Sequence, residues 1–386
     1  MKKIAIIIVC YNRLNGVKRL CKSLLNANYC SRNDITLIFS IDKSGILDIV
    51  QFANSFIWPF GEKIIREFKI RQGLKQHILQ CGDLTNVYDA VIVLEDDIIV
   101  SNCFFAYASQ AIDFYWEDTK VAGISLYSFQ KNWLRWPMRF EPYKSIYDSF
   151  FMKIAQSWGE VWTRPQWLAF RKWLKDNPEI LQSDEIPNYL KEWPKSSWLK
   201  FYTKYCIINN RYFIYPYYSL STNCSDAGTH ANRTTNDHQV TLQFDKEKYL
   251  FPVLNDNAVL YDEYMNRMRL GKYIGIQDNM LSVDFYGTRN QNHHRYLLST
   301  QKLDFHVIKQ YQLSLRPIEA SIIWNYEGDG IYLYDTSLKA KNRNRCDDYD
   351  LQLYSLRSHD FRYFLTLSIK LMIKEIKSKF NRMLKK

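Results

Sequence analysis

Apolar and polar positions along the first 125 residues form two alternating patterns. Predominantly apolar runs at 4–10, 35–41, 91–94 and 121–125 predict strands, because a strand covered on both faces has no polar side to alternate with. Between them, residues 16–29, roughly 45–56, 72–82 and 103–117 carry apolar side chains at three- and four-residue steps and predict amphipathic helices. Strand–helix alternation of this kind predicts an α/β fold, a mostly parallel central sheet with helices on both faces. In such sheets ligands bind beyond the carboxyl ends of the strands. Tyr11-Asn12-Arg13, Asp42-Lys43-Ser44-Gly45 and Glu95-Asp96-Asp97 all stand at those ends, and are expected along one edge of the sheet.

From about 130 to 240 the pattern loosens and becomes rich in Trp, Tyr and Pro. Beyond it, strand-like runs at 282–286 and 330–334 among charged stretches predict an accessory region of its own. No internal repeat or low-complexity linker marks a boundary. The expected division is 1–245 for the strand–helix unit with its sheet-edge loops, 246–360 for the accessory region, and 361–386 for a terminal helix.

A length of 386 residues suits two or three domains, and 47% hydrophobic with 24% charged residues suits a globular protein with a real core. The eight cysteines form no CxxC pair or zinc-type spacing, and Cys10 and Cys103 sit in apolar runs, which points to a reducing, cytoplasmic compartment. The start, MKKIAIIIVCYNR, imitates a signal peptide. Its apolar run is only seven residues, however, and polar Tyr11-Asn12-Arg13 follows where a small-residue cleavage site would stand, so a first strand is expected. No run of eighteen apolar residues predicts a membrane span.

The net charge of +12 is concentrated at the end: 362–386 holds eight Lys/Arg and one Glu. Leu365, Ile369, Met372, Ile373, Ile376, Phe380 and Leu384 recur at helical steps, with Lys370, Lys374, Lys377 and Lys385 opposite. Two placements suit this basic amphipathic helix: peripheral on the anionic inner face of a membrane, or docked on the protein with a solvated lysine face. Nucleic acid is not expected as a partner, since no recognised binding module accompanies the charge.

In VIVLEDDIIV, residues 91–100, three carboxylates follow the apolar run. Adjacent ionised carboxylates repel unless a cation sits among them or their pKa values rise. Hard oxygen donors select Mg²⁺ or Mn²⁺, which keep positions open for phosphate oxygens. A solvated surface turn is the ordinary reading of a bare EDD. The strand context and the polar loops at the same sheet edge favour the cation.

Taken in order, IAIIIVCYNR, LIFSIDKSG, IRQGLKQHIL, VIVLEDDIIVSNCFF, ISLYS, SWGEVWTRPQW and YPYYSLSTNCSDAGTHA resemble the GT-A-fold glycosyltransferases. The resemblance is to the branch that contains N-acetylglucosaminyltransferase I and bacterial surface-polysaccharide sugar transferases, and it spans about residues 3–240. It implies a metal-dependent, inverting transfer from a nucleotide sugar, a UDP-sugar first, to a glycan or lipid-linked acceptor. It implies that Asp42 accepts from the nucleobase N–H, and that Arg13, Arg71 and Lys75 lie near the diphosphate beside Tyr11. Glu95 and Asp96 would bind ribose and metal-bound water, Asp97 would ligate the metal, and His230 would approach the diphosphate.

The family's catalytic base is an acid beside a Trp shortly before the YP…SL block. Here that stretch reads WPKSSWLKFY, with Ser196 or Lys200 at the corresponding place. Glu160 and Asp226 are the expected substitutes, with Glu192 behind them. SWGEVW is expected to stack a sugar on indole or to fill core. Two other classes suit the chain less directly. One is a degenerate nucleotide- or glycan-binding protein. The other is a nucleotidyltransferase, which needs a glycine-rich phosphate loop that CYNRLNG does not supply.

Overall fold

The computed structural model describes residues 1–135, 138–225, 236–289, 294–341, 349–356 and 360–383. The chain opens as β1 (Ile4–Cys10), α1 (Leu14–Leu25), β2 (Thr36–Ile41), α2 (Asp48–Ser55), β3 (Lys63–Glu67), α3 (Leu74–Gly82) and β4 (Ala90–Glu95). It continues through β5 (Ile98–Val100), α4 (Phe104–Phe114), β6 (Val121–Ser125), β7 (Ser149–Met152), β8 (Glu160–Thr163), α5 (Arg164–Asp176), α6 (Asn188–Glu192), α7 (Trp198–Ile208), β9 (Tyr212–Pro216), β10 (Ser221–Asn223) and β11 (Leu260–Tyr261). The last part holds α8 (Gly271–Ile274), β12 (Leu281–Asp284), β13 (Tyr296–Ser299), β14 (Phe305–Gln312), α9 (Ala320–Ile323), β15 (Gly330–Lys339), α10 (Tyr349–Leu356) and α11 (Phe361–Met383).

Among the described residues, nine strands form one sheet in the order β11-β7-β9-β6-β8-β4-β1-β2-β3. β3, β2, β1 and β4 run parallel, while β8 enters antiparallel between β4 and β6. The α/β class and the helices on both faces are as the apolar pattern predicts. Alternate residues of β1 serve opposite cores. Ile4, Ile6 and Ile8 face α1, α2 and α4, whereas Ala5, Ile7 and Val9 face α3, α5 and α7. A strand that feeds two cores has no polar face, which is why it reads as a continuous apolar run.

Three elements depart from expectation. β3 is half-exposed at the sheet edge, and its KIIRE lacks the apolar run of a buried strand. The first unit also extends past the expected break at 245: Tyr249, Phe251 and Ala258 pack on its core, and β11 pairs with β7. The accessory sheet β12-β13-β15-β14 then builds its own core from Leu281, Val283, Leu298, Ile331 and Leu333, on which α10 docks Leu351. Lastly, α11 is undocked over its described side chains. Of its residues 361–378, all are exposed except Phe364 and Ser378, so the placement against the protein is not the one observed. Phe380, Leu384 and Lys385 have no described side chains.

Candidate active site

The carboxyl ends of β1, β2 and β4 meet along one sheet edge, because parallel neighbours pair Val9 with Glu95 and Cys10 with Ile41. Arg13, one turn beyond β1, donates to Asp96 and, at 3.0 Å, to Asp97. Asp96 also takes the Tyr11 backbone N–H. The approach is close: a Cβ on Gly16 would lie 2.3 Å from the Asp96 carbonyl oxygen, so only glycine lets α1 start against the acids.

Repulsion within the cluster is thus met in two ways. Burial pushes Asp96 up to about 6, against the pull of Arg13. Burial and the charges of Asp97 and Asp96 hold Glu95 well above the usual carboxylate range. Burial alone would lower the Arg13 guanidinium, but the two aspartates raise it. One oxygen is left over: Asp97 Oδ1 is buried without a hydrogen-bond partner. An orphaned anionic oxygen beside two further acids fits a hard divalent cation. Among the described residues, no group of three or more His, Cys, Asp and Glu side chains forms a cage for one.

Asp42, 4% exposed, ends β2 and accepts from three backbone N–H groups: Lys43 at 2.8 Å, Gln72 at 2.7 Å and Gly73 at 3.0 Å. It thereby fixes the turn that starts α3. Arg71 in that turn stacks over the Tyr11 ring, its guanidinium carbon 5.1 Å from the centroid, which brings it to the β1 end. Lys75 points elsewhere, its Nζ 3.6 Å from the Phe201 ring centroid, and burial together with Lys200 lowers its pKa.

Glu160 begins β8, in register with Val93 and Ser125, and is fully buried. Neither carboxyl oxygen has a hydrogen-bond partner, and burial followed by the Glu95 charge pushes its pKa well up. Asp226 and His230 lie outside the described residues. Their neighbours are placed: the Cys224 N–H donates to the Asp97 carbonyl at 2.7 Å, and β10 pairs antiparallel with β5 just beyond the acids. Around WPKSSW, residues 193–198, Ser196 and the preceding Glu192 are exposed, while the buried Lys200 beyond it donates to the Trp193 carbonyl at 2.6 Å.

SWGEVW divides between two roles. Trp162 is core, stacked on Tyr202 at 5.6 Å and 13°, and 4.5 Å from Trp167. Trp158 instead lines a cleft with Tyr127, Phe129, Trp133 and His238. Its ring lies 4.7 Å from Tyr127 and 4.7 Å from His238. Gly159 turns the chain between the two tryptophans at φ +100°, a conformation that glycine adopts freely. The cleft encloses about 50 Å³, room for a water or two, so a sugar would meet the indole over the rim. Partial burial lowers the pKa of His238, Asp237 and Asp97 pull it up, and Lys131 pushes it down, which places the ring within the field of the acid cluster. His238 was not legible in the sequence, because a lone histidine in NDHQV has no period or motif to set it apart. Tyr127 lay within ISLYS, but nothing in that block singled it out.

No protein-family model and no curated protein matches the chain. Among solved structures, similarity extends to a mannosyltransferase from Pyrobaculum calidifontis in complex with GDP-Man and Mn²⁺, at 12% identity and TM-score 0.36, covering 56% of this chain and 55% of that one. It extends also to S. aureus TarS 1-349, at 13% identity and TM-score 0.35, covering 55% and 60%. A third is GalNAc-T7 with UDP, GalNAc and Mn²⁺, at 10% identity and TM-score 0.37, covering 56% and 43%. The chain thus matches little more than half of the first two structures and less than half of the third. Similarities of this size set no activity, substrate or metal for the chain.

Proposed function

We propose that the chain is a GT-A-type glycosyltransferase of the N-acetylglucosaminyltransferase I branch. It would move a hexosyl or N-acetylhexosaminyl group from a nucleotide sugar, a UDP-sugar first, to a glycan or lipid-linked acceptor in surface polysaccharide synthesis. The work would take place on the cytoplasmic face of the membrane. The observation that carries this is the gathering of Tyr11, Arg13, Asp42 and the Glu95-Asp96-Asp97 cluster at one sheet edge, with Asp97 Oδ1 unpartnered.

Asp97 would hold Mn²⁺ or Mg²⁺, with Glu95 and Asp96 behind it; when bound, the ion offsets charge that develops on a leaving diphosphate. Arg13 holds Asp96 and Asp97 in place, and Arg71, stacked on Tyr11, brings a second cation to the edge where the diphosphate would lie. By the family resemblance, His230 would add a donor to the diphosphate. Asp42 keeps the Gln72–Gly73 turn in place for the nucleobase, which it contacts with its remaining lone pair. The acceptor oxygen forms the new bond to the anomeric carbon as the bond to the diphosphate oxygen breaks, inverting the configuration. The acceptor proton passes to Asp226. What favours Asp226 over Glu160 is that Glu160 is enclosed in the sheet, out of reach of an acceptor, where burial pushes its pKa up.

Nucleotide release from UDP-sugars with Mn²⁺ tests the reading. Asp97→Ala should lower it about a hundredfold or more, since charge stabilisation of this kind is worth several kcal/mol. Unchanged turnover in a folded Asp97→Ala protein removes the acid cluster from the mechanism. The absence of an acid in WPKSSW favours one alternative, a degenerate binding protein. Calorimetry showing metal-dependent UDP affinity, with no transfer to any acceptor, would establish it.

A further inference from the structure

Helix α11 extends over Phe361–Met383, and most of its described apolar side chains are exposed. Phe361 is 73% exposed, and Leu365, Ile369, Met372, Ile373 and Ile376 are all between 44% and 59% exposed. These last five fall on one side of the helical wheel; Lys370, Lys374 and Lys377 fall on the other, with exposed Leu367 and Leu371 beside them. The preceding helix shows what docking on this protein looks like. In α10, Leu351 is 3% exposed, the Tyr354 hydroxyl donates to the Leu315 carbonyl at 2.8 Å, and Ser355 Oγ accepts from the Arg139 N–H at 2.8 Å.

We propose that α11 lies in the plane of an anionic lipid surface, its apolar stripe in the acyl boundary and its lysines among the headgroups. Charge decides the occupant. The segment 362–386 carries eight Lys/Arg against one Glu, which complements acidic lipid, whereas a second copy would set two such helices side by side. At about 1.5 Å per residue the helix is some 35 Å long, and among the described residues no helix is long and apolar enough to cross a membrane. The stripe therefore lies along the surface, with the lysine stems reaching past it to the phosphates. Only the supply of a lipid-linked acceptor rests on the transferase reading; the lipid contact stands on the helix itself.

The test is flotation of the full chain with vesicles of equal parts phosphatidylglycerol and phosphatidylcholine, and with phosphatidylcholine alone. Binding is expected to the anionic vesicles only, and to be released at about 0.5 M salt, where charges are screened beyond a few ångströms. Lys370→Gln with Lys374→Gln and Lys377→Gln should lower the partition constant about a hundredfold, at roughly tenfold or less per charge. Ile369→Asp with Ile373→Asp should abolish binding, with nucleotide release unchanged in both variants. Equal flotation with neutral vesicles, no flotation, or variants that float like the wild type would overturn the proposal. So would a dimer in sedimentation that dissociates on Ile369→Asp. Flotation without donor turnover in the wild type sinks the transferase reading instead and leaves the lipid contact standing.

Discussion

Arg13 and Gly16, three residues apart, let a chain put three carboxylates in sequence at a buried strand end. One supplies the opposing charge, and the other is small enough to bring that charge within reach. Gly16→Ala should therefore cost about 1–3 kcal/mol, because a methyl 2.3 Å from backbone forces α1 to shift. Urea midpoints of the two proteins measure this, and an unchanged midpoint means that α1 moves freely. His77 gives the pH dependence. Its ring, 2.8 Å from Ser40 Oγ, is buried, and burial lowers it from 6.5 to about 4. Between those values the unfolded chain binds a proton that the native ring refuses. Its contribution is full above about pH 6.5 and declines as pH falls towards 4, by about 3 kcal/mol in all. His77→Gln should flatten that decline in urea titrations at pH 7 and pH 4.5; an identical pH dependence would exclude the ring as its source.

At the scale of elements, what matters is where strands end and which way the next residues turn. β4 delivers the acids, β10 pairs beside them, and the short run Trp158-Gly159-Glu160 sends one side chain to the cleft and one into the sheet. Trp162→Ala should cost about 3–5 kcal/mol, the usual loss for a fully buried indole. Trp158→Ala should cost clearly less stability and instead raise the KM for acceptor, since its ring is partly exposed at the cleft. Thermal melts and transfer kinetics on both variants check the contrast. The opposite ranking would make Trp158 core.

For the molecule as a whole, the nine-stranded unit and the accessory sheet have separate cores, and α11 adds to neither. Removing 362–386 should leave the melting temperature within a degree or two, because exposed apolar side chains contribute almost no buried area. A large drop would mean that α11 packs on the protein in solution.

The four predicted strands of the first 125 residues, the helices between them and the edge where Arg13, Asp42 and Asp97 gather were legible in the sequence alone. A residue buried on two faces must be apolar at every position, and a parallel sheet puts its strand ends together. The sequence also determined that α11 is basic and amphipathic. Its partner was not legible, since an apolar stripe looks the same whether protein or lipid covers it. Only the tertiary structure decided that α11 stands undocked, that Trp162 is core while Trp158 is not, and that Glu160 is enclosed beside Glu95. It also decided that residues 249–261 belong to the first unit. The roles of Trp162, Glu160 and 249–261 depend on contacts between positions far apart in the chain, made as β8 runs antiparallel between β4 and β6 and β11 pairs with β7. No local period records such pairings.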